Sequence, residues 1–295
     1  MRLVTYIADT EPRPGILHGD AVHALDATLT ASGAVPSAAF ESVRSFLEEH
    51  GDRLPALSAT VTGWLEQAAP APVGTLPELA LVAPVPDPAK VLCVGLNYSD
   101  HVGETGREFP KYPDLFAKWA SSLIGPTADI ACSDVSANLD FEGELAVVIG
   151  RHTRRVPESR ALEHVAGLTV FDDITARDLQ YRGTQWLAGK AVDRATPVGP
   201  ALVTLDEIGD PQSLELTTHV NGARMQGSNT KNMIFPIARI VSYVSEFLAL
   251  SPGDIIATGT PEGIGAKRQP PVWLRPGDVV EVEIEQVGRL RNVVR

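Results

Sequence analysis

The sequence predicts an α+β, β-rich protein, with a small α+β module at the N-terminus and a larger strand-dominated body after it. Three observations carry this. Val280, Val282 and Ile284 alternate cleanly with Glu281, Glu283 and Glu285, the period-two signature of a half-buried strand. Helix-period apolar stripes are confined to a few segments, so no regular βαβ alternation develops. Two similar turns, Ser251-Pro252-Gly253-Asp254 and Arg275-Pro276-Gly277-Asp278, each lead into an apolar run.

In chain order, Leu3 to Ile7 and Gly15 to Leu25 read as strands separated by a turn at Pro12-Arg13-Pro14-Gly15. Phe40, Val43, Phe46 and Leu47 recur at helical spacing, with Ser37 placed to cap that helix. A second helix is expected from Leu57 to Gln67, where Val61, Trp64 and Leu65 share a face. The run Ala68 to Gly74 and the prolines at 84, 86 and 88 read as a connector, giving a module at 1–75, a linker at 76–89 and the body at 90–295. In the body, Lys90 to Val94, Leu145 to Ile149 and Gly167 to Phe171 are buried-strand candidates. Pro236 to Leu250 reads as a helix with Ile237, Ile240, Val241, Val244, Phe247 and Leu248 as its apolar stripe. Ile255 to Thr258 follows as a strand, and Glu281, Glu283 and Glu285 read as the solvated face of the last one.

The chain has 295 residues, with 37 acidic against 25 basic side chains and a net charge of -12. Its 44% hydrophobic and 21% charged content is that of a soluble globular protein. An acidic chain lacks the broad positive field that phosphate backbones require, so nucleic acid is not expected as a partner. A small anionic substrate is compatible, provided a local cation offsets the global charge. Only Cys93 and Cys132 are present, too few for a disulfide scaffold or a multi-thiolate zinc site. The N-terminal apolar run is interrupted too early for a signal peptide, and no stretch approaches the roughly 20 apolar residues that span a bilayer. These features point to a cytoplasmic, metabolite-handling protein.

Several short constellations carry chemistry. Asp140-Phe141-Glu142-Gly143-Glu144 opens into an apolar strand, and residues two apart on extended backbone share a face. Glu142 and Glu144 would stand side by side, with Gly143 leaving room between them. Two such anions repel unless a cation lies between them, and a hard divalent ion with oxygen ligands would resolve that. A solvated strand end is the alternative. Asp172-Asp173 follows a second buried strand, and one of the two could complete a three-carboxylate site, although Asp-Asp-Ile-Thr is also ordinary turn and cap chemistry. His and Cys are absent from both clusters, which argues against zinc. His101 and Glu104, three apart, would be neighbours on a helix: either an imidazole oriented as a general base or a surface pair. Lys190, after Trp186 and Leu187, could stabilise an enolate or carboxylate, or be solvated. Thr258 to Gly265 is a glycine-rich bend whose N–H groups could cradle a carboxylate. It is neither a P-loop nor a dinucleotide fingerprint, and no nucleophile elbow is present.

In this order, Cys93 to Glu104, Asp140 to Gly150, Val170 to Gln180, Gly189 to Pro200, Val220 to Phe235 and Ser251 to Gly265 resemble the fumarylacetoacetate hydrolase family. The N-terminal module resembles the one that precedes the catalytic domain in many bacterial members. The resemblance implies a flattened β-roll, a homodimer, and a divalent metal, Mg²⁺ or Mn²⁺ with Ca²⁺ as an alternative. By motif position the metal ligands fall on Glu142, Glu144 and Asp173, the catalytic dyad on His101 and Glu104, the family's lysine on Lys190, and the substrate contacts on Gln180 and Thr260. The implied activity is hydrolysis of a C–C bond in an acylpyruvate or other 2,4-dioxo acid, fumarylpyruvate-like, through a pyruvate enolate. Oxaloacetate-type decarboxylation, isomerisation of a 2-hydroxyhepta-2,4-diene-1,7-dioate type of substrate, and a catalytically decayed metal-binding protein are the alternatives. Three departures fall near the expected pocket: Asp172 where asparagine is common, Ala191 to Arg194 in place of polar and aromatic residues, and Glu262 where small residues are frequent.

Overall fold

The computed structural model describes residues 1–37, 39–105, 108–131 and 134–295, without the side chain of Thr105, so Cys132 lies outside the described residues. At its centre are two antiparallel strands, Gly143–Ile149 and Val165–Asp172, in which every residue is buried. Leu145, Val147 and Ile149 enter one core, while Ala146 and Val148 enter another on the opposite face. A strand covered on both faces reads as a continuous apolar run, which is why these segments show no alternation.

The two strands lie within a twelve-stranded mixed sheet. Thr196–Thr204 flanks them on one side and Ile255–Ala257, Val91–Gly95 and Asp114–Lys118 on the other. The first core is closed by the helix Ile237–Phe247 and by a four-stranded antiparallel sheet, in which Glu215–Val220 and Val279–Ile284 are central. The second is closed by the helices Leu25–Ala31, Val43–His50 and Leu54–Ala68. In the strand Val279–Ile284, Val280, Val282 and Ile284 are buried as expected. Glu283 is exposed, and Glu281 is half-buried beneath Arg289 and Arg291.

Local expectations differ from the structure in four places. The first hairpin turns at Asp9 and Thr10, with φ of 49° and 73°, not at Pro12 to Gly15. A two-residue turn with both central φ values positive matches the twist of its strands. Pro12 and Pro14 lie inside the strand Glu11–His18, opposite Ile7 and Thr5. The next strand pairs only from Gly15 to His18, so neither proline needs an N–H on that side. The expected strand Gly15 to Leu25 is broken at Gly19-Asp20 into two. Ser42, not Ser37, caps Val43–His50: its side chain accepts from Ser45 N, and Ser45 reciprocates. Phe40 precedes that helix and packs edge-on against Phe46 and His50.

The first strand, Arg2–Ala8, pairs directly with Thr196–Thr204 of the body. Leu81–Val82, inside the expected linker, pairs with Thr5 and Tyr6. The N-terminal segment thus shares a sheet with the rest of the chain. Among the described residues no helix is long and apolar enough to cross a membrane.

Candidate active site

The register of the central strand pair builds the site. Gly143 stands opposite Asp172, so Glu142 and Asp173, one residue beyond each strand, meet side by side. Asp173 N donates to Glu142 O at 2.9 Å and Glu142 N to Asp172 Oδ1 at 3.0 Å. Glu144 lies two residues further along. Ligand oxygens of Glu142, Glu144 and Asp173 all lie within 4.8 Å of one another, and all three residues are buried. Gly143 is small for a reason other than room between the glutamates. A Cβ there would lie 2.3 Å from Thr218 Oγ1 and 3.0 Å from Val282, residues of the neighbouring sheet.

Three buried cations face these carboxylates. Lys190 Nζ lies 2.7 Å from both Glu142 Oε2 and Asp173 Oδ2. Lys118 Nζ donates to Asp173 Oδ1 at 2.6 Å, and Arg177 reaches Glu142 Oε1 at 2.5 Å and Asp140 Oδ2 at 2.8 Å. Gly189 lets Lys190 approach, since a Cβ there would lie 2.5 Å from Ala176 O and from Gln180. Burial pushes the Glu142 carboxyl up, but Lys190 and Arg177 outweigh it and hold the group at about 2. Glu144 is raised well above the usual range by burial, then by Asp173 and Glu142. Its Oε2 accepts a backbone N–H, from Gly259 at 2.8 Å, and among the described residues no cation hydrogen-bonds to it. Burial would lower the Lys190 value, yet Asp173 and Glu142 raise it, so its ammonium stays charged.

An all-oxygen, buried, negatively biased set fits a hard divalent cation such as Mg²⁺ or Mn²⁺ and does not suit a thiolate-bound zinc. The close approach of three buried carboxylates, whose oxygens lie within 4.8 Å of one another, is the observation that supports the fit.

His101 and Glu104 are brought together on the helix Ser99–Thr105, with Nδ1 3.1 Å from Oε2. Asn97 anchors the approach to that helix. Its side chain donates to Thr258 O at 2.7 Å and accepts from Phe235 N at 2.8 Å. His101, Glu142, Glu144, Gln180, Lys190 and Thr260 line one cleft. Glu104 and Asp173 stand behind His101 and Lys190. Phe116 and Trp186 form an apolar wall, packed edge-on at 5.6 Å, with Lys190 Nζ 5.0 Å from the Phe116 ring centre.

The bend Thr258 to Gly265 is indeed a cradle, but for the protein's own carboxylates. Gly259 N holds Glu144, Gly263 N holds Glu104 at 3.0 Å, and Gly265 N and Ala266 N hold Asp140 at 2.7 and 2.9 Å. Gly259, at φ 103°, also has no room for a side chain against Asn97. Thr260 Oγ1 donates to Gly143 O at 3.0 Å and accepts from Gln226 at 2.8 Å. Gln180 accepts from Arg177 through Oε1 at 3.0 Å.

Of the three departures, Asp172 sits behind Glu142. Glu262 is exposed beside a neighbouring hollow lined by Arg224 and Arg268, and neither it nor Arg194 is among the residues that line the main cleft. Sequence reasoning missed Asp140, Arg177 and Lys118 as parts of the site. Period two from Glu142 and Glu144 would have included Asp140, and Arg177 lies four residues after Asp173. Nothing local marks Lys118, which comes from an edge of the large sheet.

Residues 90–295 match the family model described as "Fumarylacetoacetate (FAA) hydrolase C-terminal". The chain is a member of the fumarylacetoacetate hydrolase family. It is 44% identical over 254 residues to the human mitochondrial oxaloacetate tautomerase FAHD2A, covering 81% of each chain. It is 46% identical over 213 residues to 2,4-didehydro-3-deoxy-L-rhamnonate hydrolase of Sphingomonas sp. (strain SKA58), covering 72% of this chain and 75% of that one. The fumarylacetoacetate hydrolase from psychrophilic Exiguobacterium antarcticum superposes with a TM-score of 0.80 at 33% identity, over 100% of this chain and 99% of that one. Maleylpyruvate hydrolase from Sphingobium sp. SYK-6, in complex with manganese (II) ion and pyruvate, superposes with a TM-score of 0.73 at 30% identity, over 100% and 98%. Like these relatives, this family member is an enzyme with the family's mixed, sheet-rich fold.

Proposed function

We propose that this enzyme uses a divalent metal to hydrolyse a C–C bond in an acylpyruvate or related 2,4-dioxo acid, fumarylpyruvate-like, by way of a pyruvate enolate. The observation that carries it is the convergence of His101 with Glu142, Glu144 and Lys190 on one cleft. Glu142, Glu144 and Asp173 would hold Mg²⁺ or Mn²⁺. A divalent ion bound there supplies Lewis-acid polarisation of the carboxylate and keto oxygens of a 2-oxo acid.

His101, with Nδ1 held by Glu104, presents Nε2 as the base that takes a proton from water. The resulting hydroxide adds to the distal carbonyl. Collapse of that adduct breaks the C–C bond, and its electron pair passes to the pyruvate fragment as an enolate. Lys190, kept cationic by Asp173 and Glu142, stabilises the enolate oxygen. The proton held on His101 then completes pyruvate at carbon. Gln180 and Thr260 hold polar ends of the substrate, and Phe116 and Trp186 exclude water from one wall.

Oxaloacetate tautomerisation is a second reading, supported by the 44% identity to enzymes of that name. There His101 moves a proton between carbon and enol oxygen, with no attack by water. Decarboxylation of oxaloacetate and isomerisation of a dienedioate use the same enolate. A homodimer and a cytoplasmic setting are proposed with either reading, the first from the family resemblance and the second from composition.

Turnover of acylpyruvates, fumarylpyruvate and oxaloacetate, with Mg²⁺ or Mn²⁺ and again with chelator, tests the proposal. Metal-dependent release of pyruvate and a second acid supports the hydrolase. Enol–keto interconversion of oxaloacetate without cleavage moves the assignment to the tautomerase, and CO₂ release to the decarboxylase. Metal uptake with no turnover of any substrate overturns the hydrolase.

A further inference from the structure

Three cationic side chains and the His101 imidazole line the cleft, and all but one of these groups are held by carboxylates of the site. Arg177 is paired with Asp140 and Glu142, Lys190 with Glu142 and Asp173, and His101 with Glu104. Lys267 is the fourth, and among the described residues no carboxylate pairs with it. It is exposed, whereas Glu142, Glu144 and Lys190 of the same cleft are 6%, 1% and 2% exposed.

A lone surface lysine is ordinarily just solvated. Two features distinguish this one. It lines the same cleft as the buried carboxylates Glu142 and Glu144. Its turn, Gly265–Lys267, is also fixed from below: Asp140 accepts from Gly265 N at 2.7 Å and Ala266 N at 2.9 Å, while holding Arg177 Nε at 2.8 Å. The turn is packed so closely that a Cβ on Gly265 would lie 2.0 Å from Val272 O and 2.6 Å from Asp140 Oδ1. One buried carboxylate therefore holds both the backbone of the turn that carries Lys267 and the Arg177 guanidinium. In a protein of net charge -12, a cation such as Lys267 is what a second anionic group on a substrate would meet.

We propose that Lys267 is a specificity-determining residue that pairs with the distal carboxylate of a 2-oxo dicarboxylate. This rests on the function proposed above, with the 2-oxo acid end directed to Glu142, Glu144 and Asp173. It also selects among the relatives' named substrates. Oxaloacetate and maleylpyruvate carry two carboxylates, whereas 2,4-didehydro-3-deoxy-L-rhamnonate carries one. Lys267 places this enzyme with the first group.

The test measures calorimetric binding of 2-oxo dicarboxylates of four to six carbons to the Mg²⁺-loaded protein, beside 2-oxo monocarboxylates of equal length. Wild type binds at least one dicarboxylate about tenfold more tightly than its monocarboxylate counterpart, as a charge-assisted hydrogen bond at a partly exposed site provides. That ratio collapses in Lys267→Met and returns in Lys267→Arg, while KM for fumarylpyruvate rises in Lys267→Met with little change in kcat. An equal ratio in wild type and Lys267→Met, or no preference in wild type, overturns the proposal. Absence of hydrolytic turnover would remove the hydrolase assignment instead, and the binding ratio would still decide the role of Lys267.

Discussion

The backbone N–H of Gly263 donates to Oε1 of Glu104 at 3.0 Å, while Oε2 of the same carboxylate lies 3.1 Å from His101 Nδ1. The glycine-rich bend thereby fixes the carboxylate that fixes the imidazole, two segments far apart in sequence. A ring held through Nδ1–H leaves Nε2 as its free lone pair.

Replacing Glu104 with Ala should therefore lower kcat by about 10²- to 10⁴-fold, the usual range for general-base assistance, with metal affinity unchanged. Steady-state kinetics and Mn²⁺ binding measured side by side check this. A variant with normal kcat would remove the dyad from the mechanism.

Glu142→Ala should abolish metal binding and turnover together, because it removes one of the three clustered carboxylates proposed to hold the ion and leaves Lys190 and Arg177 short of a partner. Calorimetric Mn²⁺ titration reads the first and pyruvate release the second. Retained activity would sink the metal assignment.

Lys118 and Asp173 are both fully buried, 2.6 Å apart. Removing one partner of a buried pair costs up to about 3–5 kcal/mol, and here Lys190 alone would be left to offset Asp173. Lys118→Met should accordingly lower the melting temperature of the chelated protein sharply. Added Mn²⁺ should recover more of the loss than it adds to wild type, since the ion supplies the missing positive charge. Equal metal-induced shifts in the two proteins would argue against Asp173 as a ligand.

Asp172 is pushed up to about 7 by burial, with Asp173 and Glu142 adding to the effect. A raised folded-state value means the folded protein holds this proton more tightly than the unfolded chain. The stability contributed by the neutral carboxyl is present below its unfolded value of about 4 and is lost as pH rises through about 7. Asp172→Asn keeps an oxygen for the Glu142 N–H without the charge. In chelated protein the variant should match wild type near pH 4 and exceed it at pH 8, a difference read by denaturant titration. A gap independent of pH would contradict the assignment.

Those elements of the site that depend on a few residues of chain were legible from the sequence. Glu142 and Glu144 share a face because extended backbone repeats every two residues, and His101 meets Glu104 because a helix brings residues three apart together. The choice of Asp173 over Asp172 came from the family resemblance. In the molecule Asp173 stands beside Glu142 through the pairing of Gly143 with Asp172, which no local pattern encodes. The bend at Thr258 to Gly265 had the right chemistry for holding carboxylates, but its occupants proved to be Glu144, Glu104 and Asp140, contributed from 115, 159 and 125 residues away.

By itself, then, the sequence determined the buried strands around Lys90 to Val94, Leu145 to Ile149, Gly167 to Phe171 and Ile255 to Thr258, the dominant helices, the spacing of the acidic pairs and the family. Only the tertiary structure decided which cation faces which carboxylate. Lys118 reaches Asp173 across 55 residues and Arg177 reaches Glu142 across 35. Periodicity governs which face a side chain takes within one element, whereas sheet register and core packing determine which elements meet, and buried charges take their partners from that meeting.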